Sequence, residues 1–143
     1  MKRRAFLVAG LLLAALLNTG SRAAGDPIKV VYQFSEGEAQ AVQGLRNIKN
    51  HLNADPKAKI VAVSYADGIN FLLDGATDKN GYPFQLLVQD LKAKGVEFDV
   101  CDTTLTNRKI DKSKVIPEAK IVPSGVVEIA RLQAREGYVY LKP

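Results

Sequence analysis

Apolar strand patterns alternating with amphipathic helical patterns, about five of each, predict an α/β protein of three layers around a mostly parallel five-stranded sheet. Three observations carry this. Residues 24–143, 120 of the 143 in the chain, are the size of one domain. Its apolar residues switch repeatedly between short runs and helical spacing. No internal repeat, linker or low-complexity segment interrupts that alternation.

Residues 1–23 read as a cleaved signal peptide, and 24–143 as the single domain. Lys2, Arg3 and Arg4 form a positive start, Ala5 to Leu17 an apolar run, and Ser21 and Ala23 fit the small-x-small rule for cleavage. That apolar run of thirteen residues is shorter than the about 20 a membrane-spanning helix needs. The expectation is therefore a periplasmic or otherwise exported protein with no stable membrane anchor. Arg3-Arg4-Ala5-Phe6-Leu7 resembles a twin-arginine signal, but paired basic residues are common in ordinary signals, so Sec is the expected route.

Of the 20 basic residues, Lys2, Arg3, Arg4 and Arg22 belong to that segment, which holds none of the 15 acidic ones. The remainder carries 16 basic against 15 acidic residues, a net charge of +1. No argument for a nucleic-acid or anionic-membrane partner survives this. The single cysteine, Cys101, cannot form an internal bridge. It is a buried inert thiol, a reactive thiol, or half of an intermolecular disulfide.

Lys29 to Phe34 is apolar at nearly every position, as strands covered on both faces are. From Glu38 to Asn53, Val42, Leu45, Ile48 and Leu52 recur at helical spacing, with Gln40, Gln43, Arg46 and Lys49 opposite. Asp55-Pro56 ends this helix. Lys59 to Tyr65 is the second strand, followed by the turn Ala66-Asp67-Gly68 and an apolar helical turn over Ile69 to Leu73. Asp74-Gly75 and Asn80-Gly81 mark a loop. Pro83 suits a helix start, Phe84, Leu87, Val88 and Leu91 form the stripe, and Gly95 caps it.

Val96, Phe98 and Val100 then alternate with Glu97 and Asp99, the period of a half-buried strand ending at Cys101. Asp99 and Asp102 are expected to cap or to face solvent. Residues 106–119 read as a short helix or ordered loop. Lys120 to Val122 is a fourth strand, and Ser124 is placed to cap a helix buried through Val126, Val127, Ile129, Ala130 and Leu132. Gly137 ends it before a last strand, Tyr138 to Leu141, which reads as an edge strand that pairs or is covered in an assembly.

In such a sheet the carboxyl ends of the strands share one edge, where functional groups gather. That edge would carry Ser35, Glu36, Tyr65, Asp67, Cys101, Asp102, Thr103, Thr104 and Ser124. No phosphate-binding glycine pattern is present, and Glu36 and Glu38 oppose a phosphate at the first helix. A nucleotide or flavin binder is thereby disfavoured, and no cofactor is expected. One His and one Cys cannot make a thiolate zinc site, so no metal is expected. His51, in the middle of the first helix, reads as a partly exposed surface residue. Thr103 and Thr104 can cap a turn after Cys101, and Arg108 or Lys109 can return positive charge to the thiol. Asp102 opposes the thiolate. The residues by themselves leave Cys101 open between inert and reactive.

From about Lys29 to Lys142 the chain resembles the DsrE/DsrF-like family of sulfur-relay proteins, specifically its small exported members. The resemblance lies in Gly95-Val96 through Cys101-Asp102-Thr103-Thr104-Leu105, in Ile121-Val122-Pro123-Ser124-Gly125-Val126-Val127-Glu128-Ile129, and in the tail Leu132 to Pro143. It implies a flavodoxin-like three-layer domain that assembles as trimers or hexamers. It also implies a cysteine near a subunit surface that carries sulfur as a persulfide, received from a donor protein or given to an acceptor. Carried onto this chain, that cysteine is Cys101. Tyr65 to Ile69 stands where many relatives have a His-Gly-x-Gly-Ile turn, and Asp102 replaces a small residue. Tyr65, Asp67, Asp102, Thr103, Thr104 and Ser124 would form the thiol's surroundings. The alternative is a non-catalytic exported binding or assembly protein of the same fold, with Cys101 inert and buried.

Overall fold

The computed structural model describes residues 25–143, and the expected signal peptide lies outside the described residues. In chain order the elements are β1 (Lys29–Phe34), α1 (Glu38–Ala54), β2 (Lys59–Ser64), a 3₁₀ segment (Ala66–Leu72), α2 (Phe84–Ala93) and β3 (Glu97–Cys101). They continue with α3 (Asp102–Asn107), a 3₁₀ turn (Lys112–Lys114), β4 (Lys120–Val122), α4 (Gly125–Glu136) and β5 (Val139–Leu141). The expected five strands are all present. The helix over 102–107 starts earlier than anticipated, directly after Cys101. No helix among the described residues is long and apolar enough to cross a membrane.

Every strand pair is parallel, and the sheet order is β4-β3-β2-β1-β5. Handedness turns this order into layers. From β1 to β4 the strands step in one direction, so right-handed crossovers put α1, α2 and α3 on one face. The last connection returns across the sheet to seat β5 beside β1 and carries α4 to the other face. The packing follows suit. Val30, Phe34, Ile60, Phe98 and Val100 form one core with Leu45 and Ile48 of α1, Val88 of α2 and Leu105 of α3. Val31, Val61 and Val63 form the second with Ile129 and Leu132 of α4.

Several side chains sit where periodicity alone did not put them. Gln40 was assigned to the polar face of α1, but it is buried. Its Oε1 accepts from the amides of Ser35 and Glu36, both at 2.8 Å, and so holds the turn between β1 and α1. Val126, Val127 and Ala130 were expected to bury α4 and are exposed instead. With 3.6 residues per turn, the face carrying Gly125, Ile129 and Leu132 meets the sheet and these three point away. Gly68 is required by close approach, because a Cβ there would lie 2.2 Å from the Phe34 carbonyl oxygen.

The largest correction is Asp99, which neither caps nor faces solvent but is 1% exposed. Side chains alternate along β3, so Glu97, Asp99 and Cys101 face α4 while Phe98 and Val100 face the first core. Alternation gives the side, but only the fold shows that α4 covers it. Neither Asp99 oxygen has a hydrogen-bond partner among the described residues, and Lys120 Nζ lies 3.5 Å from Oδ1. Burial, opposed by Lys120 and reinforced by Glu128 and Glu97, raises its pKa to about 6.

An unfolded aspartate titrates at about 3.9. Through the window between that value and about 6, the folded state holds a proton that the unfolded state has lost. This group therefore favours folding most at the acid end, and that contribution is lost as pH rises through the window. Asp99→Asn removes the dependence. From about pH 4 to about pH 7, the variant's stability relative to wild type, read from denaturant midpoints, should rise by about 2–3 kcal/mol. Parallel profiles would contradict a pKa raised by burial at Asp99.

Candidate functional site

Cys101 is the last residue of β3 and occupies the N-cap position of α3. The chain leaving β3 passes to α3 on one face, and the chain leaving the adjacent β4 passes to α4 on the other. Neighbouring strands whose connections diverge in this way open a crevice at their carboxyl ends, the usual position of a site in an open α/β sheet. Cys101 ends the strand beside that divergence, paired in register with Val122.

Two helix starts therefore flank Cys101, whose side chain takes no capping hydrogen bond from α3. Gly125, the first residue of α4, is buried, and a Cβ there would lie 3.1 Å from Tyr65 Cβ and 3.4 Å from Cys101 Cβ. The absent side chain lets the α4 backbone approach the thiol. From α3, Thr103 is tied across the crevice, with its amide and its hydroxyl donating to the Pro123 carbonyl at 3.3 and 3.0 Å.

Thr104 is positioned by a strained neighbour. Ala66 has a φ of +47°, in the left-handed region, which disfavours a residue with a Cβ by about 1–2 kcal/mol. The Ala66 amide donates to Thr104 Oγ1 at 3.0 Å, and the Ala66 carbonyl accepts from Arg108 Nη1 at 3.1 Å. With its oxygen accepting from Ala66, Thr104 retains a hydroxyl proton to donate. Strain of this kind persists where the surroundings over-determine it. Here both polar contacts come from the α3 segment.

These donors set the thiol's acidity. Burial pushes the Cys101 pKa up, but the Thr104 hydroxyl and the amides of Gly125, Thr104 and Thr103 favour the thiolate more, and the net shift is downward. Arg108, expected to return charge to the thiol, instead donates to Ala66 and to Asn70 Oδ1 at 2.8 Å. Lys109 takes the left-handed φ of +55° after α3.

The other expected site residues divide into neighbours and bystanders. Tyr65 packs on Gly125, while its hydroxyl receives Gln33 Nε2 at 2.5 Å. Tyr140 donates to Gln33 Oε1 in turn. Ser124 takes the N-cap position of α4, but its side chain makes no capping bond. Asp67 is exposed, and its nearest charge is Arg108 at 3.8 Å. Asp102, expected to cap or to oppose the thiolate, pairs through Oδ2 with Lys112 at 2.8 Å, while its Oδ1 is buried without a partner. Sequence reasoning did not name Gly125 or Ala66 as parts of the site. The signal for Gly125 was present in Pro123-Ser124-Gly125 as a helix start, but only the strand order brings that start to Cys101.

The described residues contain no group of three or more His, Cys, Asp and Glu side chains placed to hold a metal. His51 is half-buried on α1, with Nδ1 2.9 Å from the Tyr32 hydroxyl.

Comparison with known proteins agrees with this architecture. The model of the DsrE/DsrF-like family matches residues 28–143. A protein of unknown function from Methanobacterium thermoautotrophicum, MTH1491, is similar in structure, with a TM-score of 0.72 and 26% identity over 81% of this chain and 99% of that one. The ychN protein from E. coli shares the fold, with a TM-score of 0.65 and 20% identity over 82% and 99%. No curated protein matches. With the matched segment spanning every element from β1 to β5, the chain belongs to the DsrE/DsrF-like family.

Proposed function

We propose that this protein accepts sulfane sulfur on Cys101 and passes it on as a persulfide, in keeping with the family's association with sulfur relay. One observation carries the reading. The only thiol of the chain lies where two helix starts and the Thr104 hydroxyl favour its thiolate. The thiolate, not the thiol, is the nucleophile.

The chemistry needs no external oxidant. The Cys101 thiolate attacks the outer sulfur of a donor persulfide, a new S–S bond forms, the donor's S–S bond breaks, and the donor leaves as a thiolate. Release is the same exchange, with an acceptor thiolate attacking the outer sulfur and Cys101 leaving as thiolate. The donors that favour the thiolate at the start favour it again as leaving group. The protein is thereby a sulfur carrier, with its partners a sulfur donor and an acceptor protein.

Two further parts of the reading rest on sequence and family resemblance. The signal-like residues 1–23 motivate an exported, periplasmic carrier. The family motivates a trimer or hexamer, and exposed Val139, Tyr140 and Leu141 on the edge strand β5 supply apolar surface for it. A second reading is favoured by burial. Cys101 is only 4% exposed, which suits an inert packed thiol in a non-catalytic binding or assembly protein.

Mass spectrometry separates the two readings. After incubation with polysulfide under native conditions, wild type should gain sulfur that dithiothreitol removes, and Cys101→Ser should gain none. No gain on wild type, or an equal gain on the variant, would sink the carrier reading. Alkylation tests the mechanism of activation. At neutral pH, Thr104→Val and Gly125→Ala should each slow iodoacetamide labelling of the folded protein severalfold, while Thr104→Ser, which keeps the hydroxyl, should label near the wild-type rate. Equal rates for all four proteins would remove Thr104 and the α4 start from the account.

A further inference from the structure

On the opposite side of the molecule from α4, α1 and α2 leave a cleft of about 300 Å³ between them. Its floor is Leu45, Phe84 and Leu91, with Val42 and Leu87 on the walls. Val42 belongs to the apolar stripe of α1, yet it is 40% exposed because no element of the described residues packs over it. The volume is that of a small-molecule site, too small for a partner's helix.

The charges around the cleft are unequal. Asp78 is engaged by its own loop, with Oδ1 accepting from the Asn80 and Tyr82 amides at 2.8 and 2.9 Å. Asp90 and Lys94, one turn apart at the end of α2 and not within salt-bridge distance of each other, add no net charge to the cleft. Arg46 and Lys49 remain, one turn apart on α1 and both lining the cleft. Like charges at this spacing repel. Among the described residues neither comes within salt-bridge distance of a carboxylate. The only acid of α1, Glu38, lies at its start and accepts from the Lys79 amide at 2.6 Å. An anion beside Arg46 and Lys49 would relieve that repulsion, while the apolar floor takes a hydrocarbon chain.

We infer that the α1–α2 cleft binds a small amphiphilic carboxylate, its chain on Leu45, Phe84 and Leu91 and its head at Arg46 and Lys49. This site is separate from Cys101 and independent of the sulfur-carrier reading.

The test uses the full chain labelled with ¹⁵N and three probes of equal tail: decanoate, decanol and decyltrimethylammonium. Decanoate should shift the amides of α1 and α2 saturably, decanol the same amides more weakly, and the cation none of them. The double variant Arg46→Glu, Lys49→Glu, on exposed positions, should weaken decanoate binding by about tenfold or more and leave decanol binding unchanged. Val42→Asp should abolish both. The inference is overturned by equal affinity for the three probes, by shifts mapping elsewhere, or by no saturation. Shifts of the same amides on simple dilution would also overturn it, because the cleft would then be covered by a second copy.

Discussion

The site depends on a reversal of direction in the sheet. Four strands step one way, and the fifth returns to the far side of the first. Because crossovers keep one hand, that return moves a single helix to the opposite face. The chain therefore diverges after β3 and after β4, and the residue ending β3 comes to lie between two helix starts. That residue is the only cysteine. Had β4 been followed by a neighbour in the same direction, α4 would lie with α1 and α2, and nothing would bring Gly125 to the thiol.

Local chemistry sharpens what topology provides. Gly125 permits the backbone to approach, and the left-handed Ala66 fixes the Thr104 oxygen so that its proton remains available. A buried thiol would ordinarily be held neutral by desolvation. Neutral donors overcome that penalty here. Asp99, on the same face of β3 and with no donor beyond Lys120 nearby, shows the other outcome, since its carboxyl is pushed up to about 6. Two acids on one strand, both under α4, are shifted in opposite directions, because the groups around Cys101 outweigh its burial and Lys120 does not outweigh that of Asp99.

Much of this was legible in the residues. The strands from Lys29, Lys59 and Lys120 and the helices from Glu38 and Phe84 lie where the period of apolar positions put them, because burial on known faces is what periodicity encodes. Cys101 at the carboxyl edge followed from the same pattern. The departures share a cause. Gln40, Asp99, Val126 and Val127 were read from polarity, whereas their exposure depends on which element lies over them. Asp99 looks like a solvent-facing strand residue until α4 is known to cover it. The strand order, set by a long-range pairing of β5 with β1, leaves no local trace. Arg108, which could have returned charge to the thiol, instead bonds Ala66 and Asn70.

The central claim is that the surroundings of Cys101 favour its thiolate. The direct measurement is the ultraviolet absorbance of the thiolate across a pH titration of the native protein, with Cys101→Ser as the blank. The expected midpoint lies below that of an ordinary cysteine, about 8.5, and moves up in Gly125→Ala. A midpoint at or above that value, unmoved by the substitution, would contradict the account.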